Sequence, residues 1–481
     1  MSKLLFSHSY FYQFDPKQWR AQQPYPPLAT MQAAAYMREC GHDVAVFDTN
    51  LRMHPGEVRE ALKEHTPEYF IIYDDGFNYL TKMCLTNMRE AAVEMAKEAK
   101  RHNCIVIINS SDSTDRYEYY LQKGVDYVIK GEGEETLRKL IETLDGGNDP
   151  SSVEGLAFIK DKNIVLTQPR PVLKDLDALP LPAWDLIDIE SYKTTWQSKH
   201  GYFSLNLATT RGCPFKCNWC AKPIYGNRYN SRSPEHVVKE IEMLLNNYSP
   251  EHFWMSDDIF GLKPGWIQKF RDLVVSKNLK FRYKIQSRAD LLLQEDTIGA
   301  LADSGAQTVW IGAESGSQSI LDAMDKGTTI AQIEEASSLL RRKGIKVGFF
   351  LQFGYPGETR EDIEKTISMV LKLMPDEIGI SVSYPLPGTK FYEKVKDQLT
   401  KKQNWADSDD LAMMYRGTYP PLFYKILHRY VHNRYSIERA RRALRTPLKG
   451  ASLRRLAALA LHVPMAMLRG HRMQNIYRTH A

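Results

Sequence analysis

The chain has 481 residues, of which 43% are hydrophobic and 25% charged, and its formal net charge is +6. This composition excludes a disordered chain and predicts two or three domains with buried cores. Because no segment contains the roughly 18 to 20 consecutive apolar residues of a membrane-spanning helix, we expect no integral membrane protein.

The cysteines and the first residues indicate a reducing compartment. Six cysteines are spread unevenly over the chain, which does not suit a disulfide framework. The opening residues, from Met1 to Leu4, contain no apolar signal segment. We therefore expect a cytoplasmic protein, in which Cys40, Cys84 and Cys104 are buried and inert thiols.

Residues 1–148 alternate short β-branched or aromatic runs with amphipathic helical runs, which predicts a doubly wound, Rossmann-like α/β domain. Ligands of such sheets bind beyond the carboxyl ends of the strands. The loops expected at that edge contain residues 7–9, 74–76, 109–111 and 131–133.

The rest of the chain divides into three parts. Residues 149–200 are predicted to be a linker with a hairpin over residues 156–167. Residues 201–395 contain six further strand-and-helix repeats, which predict a partial (βα)6 barrel of the TIM type, with its chemistry on the loops that follow the strands. Residues 396–481 are predicted to be helical and basic.

Three thiols lie within eight residues directly after the first predicted barrel strand. Cys213, Cys217 and Cys220 are close enough to bind one metal centre, and three thiolates leave one iron of a cubane cluster open. A zinc site needs a fourth ligand. His200 or His236 is available in the sequence, but neither completes a usual zinc spacing.

This CxxxCxxC pattern, with Trp219 before the last cysteine, resembles the radical S-adenosylmethionine (SAM) superfamily. The resemblance implies that the three cysteines hold a 4Fe-4S cluster and that SAM chelates the fourth iron. It also implies reductive cleavage of SAM to a 5′-deoxyadenosyl radical.

Other loops of the predicted barrel resemble the cofactor-binding segments of the same superfamily. The segment that contains Glu314 and Ser315 is similar to a fourth-strand segment whose carboxylate binds the ribose hydroxyls, although a helix-capping acid is an alternative. Arg288 is available to pair with the SAM carboxylate or, alternatively, with Asp290.

Two further segments complete the expected SAM site. Asp257 and Asp258 stand where many relatives have Gly-Gly-Glu, whose backbone contacts the methionyl amine. This departure from the superfamily pattern leaves residues from Ser256 to Asp258 as the candidate amine contact. Tyr384 belongs to a turn that is similar to the sixth-strand turn of the superfamily. No catalytic residue is identified from the sequence.

The N-terminal part resembles the cobalamin-binding members of the superfamily. The resemblance is carried by residues 25–28, 131–137 and 176–186, although the lower-ligand motif DxHxxG is absent. It implies cobalamin as a third cofactor. His8 is a candidate substitute ligand or an ordinary loop histidine. The candidate cobalamin-binding residues are His8, Asp75, Ser110, Ser111, Gly131 and Glu132.

The last 57 residues, from Lys425 onward, carry 13 Lys and Arg residues and one acid, Glu438. An apolar stretch over residues 456–468, interrupted at Pro464, is too short to span a bilayer. It suits peripheral contact with anionic lipids, whereas packing on the acidic remainder of the chain is the alternative. Nucleic-acid binding is unlikely, since no recognisable RNA-binding module is present.

These observations predict a radical SAM enzyme that methylates an unactivated carbon with the help of cobalamin. The alternatives are cyclisation or oxidative rearrangement of the magnesium-protoporphyrin ester cyclase type, and a non-catalytic iron-sulfur protein. The expected partners are a small-molecule or lipid-linked substrate and a reductant such as flavodoxin or ferredoxin. The substrate itself is not indicated by any residue pattern.

Overall fold

The structure is a computed structural model that describes residues 1–77, 79–82, 85–444 and 452–480. Two mostly parallel sheets with flanking helices are followed by a helical C-terminal region. The predicted α/β class, with a Rossmann-like sheet, a partial barrel and C-terminal helices, is confirmed.

The first sheet has seven strands in the order β2-β1-β3-β4-β5-β6-β7, of which the first five are parallel. Because the strand order reverses between β1 and β3, the loops that follow these strands diverge and leave a crevice. Its strands are β1 (Lys3–Ser7), β2 (Asp43–Phe47), β3 (Tyr69–Tyr73), β4 (Ile105–Asn109), β5 (Tyr127–Ile129), β6 (Leu156–Lys160) and β7 (Asn163–Leu166).

Eight helices accompany this sheet, and β3 and β4 are almost completely buried between them. The helices are α1 (Pro16–Ala21), α2 (Leu28–Glu39), α3 (Val58–His65), α4 (Tyr79–Lys82), α5 (Thr86–Arg101), α6 (Ser111–Asp115), α7 (Tyr117–Gln122) and α8 (Glu134–Asp145).

The predicted hairpin forms over β6 and β7, and β6 pairs antiparallel with β5. The first sheet therefore continues beyond residue 148 into the segment that we predicted to be a linker. The three boundaries between the four predicted parts stay predictions. Helix α9 (Ile189–His200) then leads to the second sheet.

The second sheet contains six parallel strands in the order β15-β14-β13-β12-β11-β8 and curls into a half-barrel. A short two-stranded pair, β9 with β10, lies beside it. The strands are β8 (Ser204–Leu207), β9 (Thr210–Arg211), β10 (Asn230–Ser231), β11 (His252–Met255), β12 (Arg282–Ser287), β13 (Ala306–Glu314), β14 (Lys346–Phe353) and β15 (Glu377–Val382).

Helices cover the convex side of this half-barrel. They are α10 (Pro234–Tyr248), α11 (Trp266–Ser276), α12 (Ala289–Leu292), α13 (Thr297–Asp303), α14 (Gln318–Ala323), α15 (Ile330–Arg342), α16 (Arg360–Leu373) and α17 (Lys390–Val395). Because successive side chains of a strand point to opposite faces, one set of residues packs under these helices and the other set lines the concave face.

The C-terminal region consists of α18 (Pro421–Leu444) and α19 (Ser452–His480), which pack against each other. The expected interruption at Pro464 is wrong, since α19 continues through this proline. Packing against α18 accounts for this, because tertiary contacts such as Asn433 Nδ2 to His462 Nδ1 at 2.7 Å hold the two helices together.

Two further predictions concern the cysteines outside the cysteine loop and membrane-spanning helices. Cys104 is buried, as predicted, but Cys40 is exposed at the C-terminal end of α2, and Cys84 lies outside the described residues. No helix in the described part of the chain has the length and the apolar character needed to cross a membrane.

Candidate active site

The three predicted cluster ligands lie on the loop that follows β9, at the end of the half-barrel where its strands have their carboxyl ends. Cys213 is buried against Ile259 and Leu291, and Cys217 and Cys220 are partly exposed. The loop leaves β9 through Gly212, whose φ is +79° and where a Cβ would lie 2.4 Å from the Arg228 carbonyl oxygen. Only glycine fits this turn.

Burial keeps two of the three cysteines protonated when no metal is bound. Burial raises the pKa of Cys213, and it raises the pKa of Cys220 to about 12. Buried thiols with raised pKa values retain their protons unless a metal replaces them. In the described residues no three His, Cys, Asp or Glu side chains are arranged to hold a single metal ion. Thiolates of a cubane cluster bind three separate irons.

Neither histidine of the zinc alternative points to the cysteines. The Nε2 atom of His200 lies 3.0 Å from the carbonyl oxygens of Ala21 and Gln22. The Nδ1 atom of His236 lies 3.1 Å from Asp177 Oδ1. Both side chains are therefore occupied elsewhere.

Asp257 fixes the start of the cysteine loop. Its buried carboxylate accepts two backbone N–H bonds, from Thr209 at 2.7 Å and Thr210 at 2.6 Å, and both threonine hydroxyls at 2.9 Å. Burial raises the pKa of Asp257 to about 6. We predicted a contact with the methionyl amine, but the structure turns this carboxylate toward the loop backbone.

Arg288 supports the second cysteine. Its Nη1 lies 3.9 Å from Cys217 Sγ, and its guanidinium stacks 3.8 Å from the centre of the Phe215 ring. The remaining donors bind Asp290 through Nε at 2.9 Å and Nη2 at 3.1 Å, and the carbonyls of Lys326 and Gly327. All five N–H donors are thus used, which matches the ion-pair alternative for Arg288.

Asn218, between the second and third cysteines, connects the loop to three other elements. Its backbone N–H donates to Met324 at 3.0 Å, and its side-chain amide donates to Ala323 at 2.7 Å. The amide oxygen accepts the Tyr355 hydroxyl at 2.9 Å, and its carbonyl accepts the Phe391 N–H at 2.9 Å. Asn218 could not be predicted as a site residue, because nothing in the cysteine pattern distinguishes it from a surface residue.

Glu314 ends β13 in the left-handed region, with a φ of +56°, where a non-glycine residue is strained. Its Oε1 accepts a 2.8 Å bond from Lys326, and both side chains are 7% exposed. Ser315 bonds the Thr366 hydroxyl at 3.1 Å. Since Ser317 is the N-cap of α14, Glu314 is not the helix-capping acid that we considered as an alternative.

The other predicted SAM-site residues have different surroundings. Trp219 carries a buried indole N–H for which the described residues offer no acceptor. The Ser256 hydroxyl donates to the Leu207 carbonyl at 3.0 Å. The Tyr384 hydroxyl accepts a 3.1 Å bond from Asn404. Trp219 is thus the member of this set that has a polar atom directed at no protein partner.

A buried ion triad joins the cysteine loop to the first sheet. Arg211, two residues before Cys213, binds Glu132 at 2.5 Å and Glu134 at 2.6 Å, and all three side chains are at most 6% exposed. Glu132, a predicted cobalamin contact, is therefore engaged between the two parts of the molecule. Lys82 of α4 adds a second bridge, at 2.5 Å, to Asp258 after β11.

Two small adjoining clefts, each with a cavity volume of about 10 Å³, lie between the first sheet and the cysteine loop. Both are lined by Gly76 and Ser111 from the loops after β3 and β4, and by Ile224 and Tyr225. One of them extends to Ala221, which directly follows Cys220. The crevice predicted from the strand order therefore opens beside the cysteine loop.

Most of the remaining candidate cobalamin-binding residues already have hydrogen-bond partners within the protein. His8 is buried, with Nε2 2.8 Å from Asp48 and Nδ1 3.1 Å from the Thr49 hydroxyl, which matches an ordinary loop histidine. Asp75 accepts the N–H groups of Ala29 and Phe77, and Ser110 caps α6. Gly131, at a φ of +81°, would place a Cβ 3.5 Å from the Ile224 carbonyl oxygen.

Comparison with known proteins gives one family match. Residues 207–370 match the model of the radical SAM superfamily. This range contains the cysteine loop and β11 to β14, so the match covers the three cysteines, Asp257, Arg288 and Glu314.

Two curated relatives cover most of the chain. An uncharacterized methyltransferase of Pyrococcus horikoshii is 28% identical over 388 residues, which are 79% of this chain and 81% of that protein. The anaerobic magnesium-protoporphyrin IX monomethyl ester cyclase of Synechocystis sp. is 24% identical over 371 residues, covering 76% and 72% respectively.

A solved structure shares the fold. The radical SAM methyltransferase TsrM from Kitasatospora setae, with cobalamin and a [4Fe-4S] cluster bound, superposes with a TM-score of 0.68 over 82% of this chain and 78% of that chain. The sequence identity is 19%, so this likeness concerns the fold.

Proposed function

We propose that the chain is a radical SAM enzyme that uses a 4Fe-4S cluster and cobalamin to methylate an unactivated carbon of a small molecule. The observation that carries the proposal is the crevice between the first sheet and the cysteine loop. It is lined by Ser111 at the carboxyl end of one parallel sheet and by Ala221, next to Cys220. Two cofactors bound on its two sides would share one reaction space.

The residues around the cysteines fit a cluster and SAM. Cys213, Cys217 and Cys220 would hold three irons, and Arg288 would place positive charge beside the Cys217 sulfur. The buried N–H of Trp219 lacks a protein acceptor among the described residues, so it is available to a polar ligand atom. Glu314 would bind the ribose, as its place in the superfamily implies.

The crevice lies at a suitable place for a corrin cofactor, but it is smaller than a corrin. Small side chains line it at Gly76 and Ser111, and Tyr225 occupies part of the space. Among the described residues that line the two clefts there is no histidine, so the proposal uses no histidine ligand below the cobalt. Binding would require the Tyr225 ring to move.

When bound, the cofactors supply the difficult chemistry, namely a carbon-centred radical from SAM and a methyl group from cobalamin. The protein positions the cofactors and shields them from solvent. Asn218 and Asp257 hold the cysteine loop at fixed places on the barrel, and the Arg211 triad holds the same loop against the first sheet. Such fixed geometry is what a reaction between two bound cofactors requires.

The test is anaerobic reconstitution with iron, sulfide and hydroxocobalamin, followed by desalting and absorbance spectra. SAM cleavage under reductant is then measured as 5′-deoxyadenosine and S-adenosylhomocysteine. We expect both cofactors to be retained and both products to form. A cluster that yields deoxyadenosine without bound corrin would contradict the cobalamin part of the proposal, and an intact cluster without SAM cleavage would contradict catalysis.

Ring closure or oxidative rearrangement is a second candidate, favoured by the Synechocystis relative that is named a cyclase. Methylation consumes SAM as a methyl donor and releases S-adenosylhomocysteine, whereas cyclisation does not require this product. Reconstituted enzyme that binds corrin and forms deoxyadenosine alone would favour the cyclase type. We propose flavodoxin or ferredoxin as the electron donor in either case.

The C-terminal region adds a proposal about location. Leu461, Met467 and Leu468 of α19 are 59%, 71% and 55% exposed, and Arg469 and Arg472 follow them. Apolar side chains beside arginines suit the surface of an anionic membrane, where a lipid-linked substrate would lie. The full chain is expected to float with anionic but not with zwitterionic liposomes, and equal flotation or none would contradict this.

A further inference from the structure

The concave face of the half-barrel carries one lysine in unusual surroundings. Lys284 lies in the middle of β12, and its ammonium nitrogen stands 5.2 Å from the centre of the Tyr25 ring and 5.1 Å from that of Trp254. In the described part of the chain this nitrogen has no hydrogen-bond or ion-pair partner. A cation beside two aromatic rings is stabilised, yet its charge is not neutralised.

The two rings come from different parts of the molecule and fix the position of the lysine. Trp254 of β11 is the direct neighbour of Lys284 in the sheet. Tyr25 belongs to the segment before α2 and packs on Trp254 at 4.9 Å, while its hydroxyl lies 3.2 Å from the Ser204 hydroxyl. The lysine is therefore positioned by the packing of both domains and is not a solvated surface group.

Farther along the same face lies an apolar surface of two stacked rings, the aromatic floor. The rings of Trp310 and Phe350 stack with centroids 4.6 Å apart at an interplanar angle of 26°. The Trp310 indole lies on Gly348, where a Cβ would come within 2.5 Å of the ring, and beside Gly379. Two glycines in adjacent strands thus make room for an aromatic surface, and glycine inside a strand often marks close approach of a ligand or neighbouring group.

The strand register sets the order of these groups. Gln286, two residues after Lys284, pairs with Trp310, and Gly312 pairs with Phe350. Arg288, which contacts Cys217, lies four residues after Lys284, or about 13 Å along the strand. Proceeding toward the cysteine loop, a ligand would meet the lysine first, then the aromatic floor, and then the cluster.

The concave face is also accessible. Lys284, Gln286, Trp310 and Phe350 are partly exposed, whereas the alternating residues Tyr283, Ile285, Val309 and Phe349 are buried under the helices. Burial lowers the pKa of Lys284 to about 8, against the opposing effects of Tyr202 and Glu377. The ammonium therefore remains mostly protonated at neutral pH, so an anion that reaches it meets a positive charge.

We propose that Lys284 binds the anionic group of the substrate, whose flat apolar body lies on Trp310 and Phe350 and points its reacting carbon toward the cluster. The substrate class is thus an apolar, planar molecule that carries a carboxylate or a phosphate. This inference rests on the proposed function only in naming the ligand as the substrate. The binding site itself requires no turnover.

The test uses three probes with one aromatic body, namely 2-naphthoate, 2-naphthamide and 2-naphthyl phosphate. Binding to the anaerobically reconstituted enzyme is followed by probe fluorescence. We expect the wild type to bind at least one anion about tenfold more tightly than the amide, which is the effect of one charge-assisted hydrogen bond. Which anion is preferred distinguishes a carboxylate from a phosphate substrate.

Variants locate the effect. Lys284→Met is expected to bind the anions no more tightly than the amide, Lys284→Arg to keep the preference, and Trp310→Leu to weaken all three probes alike. Lys280→Met removes the same charge from an exposed position and is expected to behave as the wild type. Equal thermal midpoints of Lys284→Arg and the wild type show that the fold is intact.

Two results would overturn the proposal, namely a wild type without preference for either anion and an anion preference that survives in Lys284→Met. Neither result depends on SAM cleavage or on bound cobalamin. A failure here is therefore distinguishable from a failure of the proposed methylation.

Discussion

The two sheets of this molecule differ in how their faces are covered. In the first sheet, β3 is buried at every position and β4 at all but its first residue, because helices cover both faces. In the half-barrel, β12 alternates between buried positions and positions that are partly or fully exposed, because helices cover its convex side. One sheet thus has two closed faces and the other has one closed face and one open face.

This difference determines where each sheet can bind a ligand. A sheet with two covered faces offers only the ends of its strands, and the crevice at Gly76 and Ser111 lies there. A sheet with an open concave face offers the face itself, where Lys284 and Trp310 lie. The cysteine loop stands between the two surfaces and is held by Asn218, Asp257 and Arg211, whose polar atoms are bound to protein partners.

The largest effect is expected at the cysteine loop. Cys217→Ser removes one cluster ligand, so iron content should fall and SAM cleavage should drop to background, measured as deoxyadenosine. Cys40→Ser changes an exposed thiol of the first sheet's α2 and should leave both quantities unchanged. Full SAM cleavage in Cys217→Ser would show that the cysteine loop does not hold the cluster that cleaves SAM.

The next largest effect is expected on the free energy of unfolding, at the Arg211 triad, which forms the joint between the two sheets. Arg211→Met leaves Glu132 and Glu134 buried without their cation, which should lower the free energy of unfolding by about 3–5 kcal/mol in chemical denaturation. The control is Arg38→Met, which breaks an exposed pair with Asp185 and should cost at most about 1 kcal/mol. Similar losses in both variants would mean that the joint contributes no more than a surface ion pair.

The crevice can be closed without touching the half-barrel. Ser111→Trp places a large side chain in both clefts, so cobalamin retained after desalting should fall at least tenfold while the cluster absorbance is kept. Ser198→Trp, on an exposed position of α9, is the matched control. Loss of the cluster together with cobalamin in Ser111→Trp would contradict the separation of the two surfaces.

The smallest expected effect concerns a buried acid near the open end of the half-barrel. Burial raises the pKa of Glu358 to about 8, although the Gly354 N–H donates to it at 2.6 Å. Folding therefore takes up a proton, and this contribution to stability is present below the unfolded pKa of about 4.5 and is lost as pH rises through about 8. Glu358→Gln should flatten the fall of the thermal midpoint over this window.

An exposed acid on the same side of the half-barrel provides the control for this pH effect. Glu361→Gln, in the first turn of α16, should leave the pH dependence as it is in the wild type. A Glu358→Gln profile that runs parallel to the wild-type profile would show that Glu358 is ionised in the folded protein.

Much of the fold could be predicted because it depends on local patterns. The six half-barrel strands and the hairpin at residues 156–167 followed from alternation and turn residues. The pairing of that hairpin with β5 could not be predicted, since it depends on which distant strand is left with a free edge. Helix α19 continues through Pro464 for a similar reason, because its partner α18 is distant in sequence.

The candidate site was predictable where residue spacing encodes chemistry. Three cysteines in eight residues indicated a cluster, but no spacing indicated that Asn218 would bind three elements at once or that Asp257 would accept four hydrogen bonds. Lys284 was missed because a lysine in a strand usually faces solvent. Its surroundings arise from Tyr25, which is 259 residues away in the chain.

The Arg211 triad also bears on how the protein is made. Glu132 and Glu134 leave the ribosome well before Arg211 and the three cysteines do, and N-terminal domains generally fold first during synthesis. The two carboxylates are thus already in place on a folded surface when the cysteine loop emerges. We therefore expect the cysteine loop to complete its fold against the N-terminal domain, after that domain has folded.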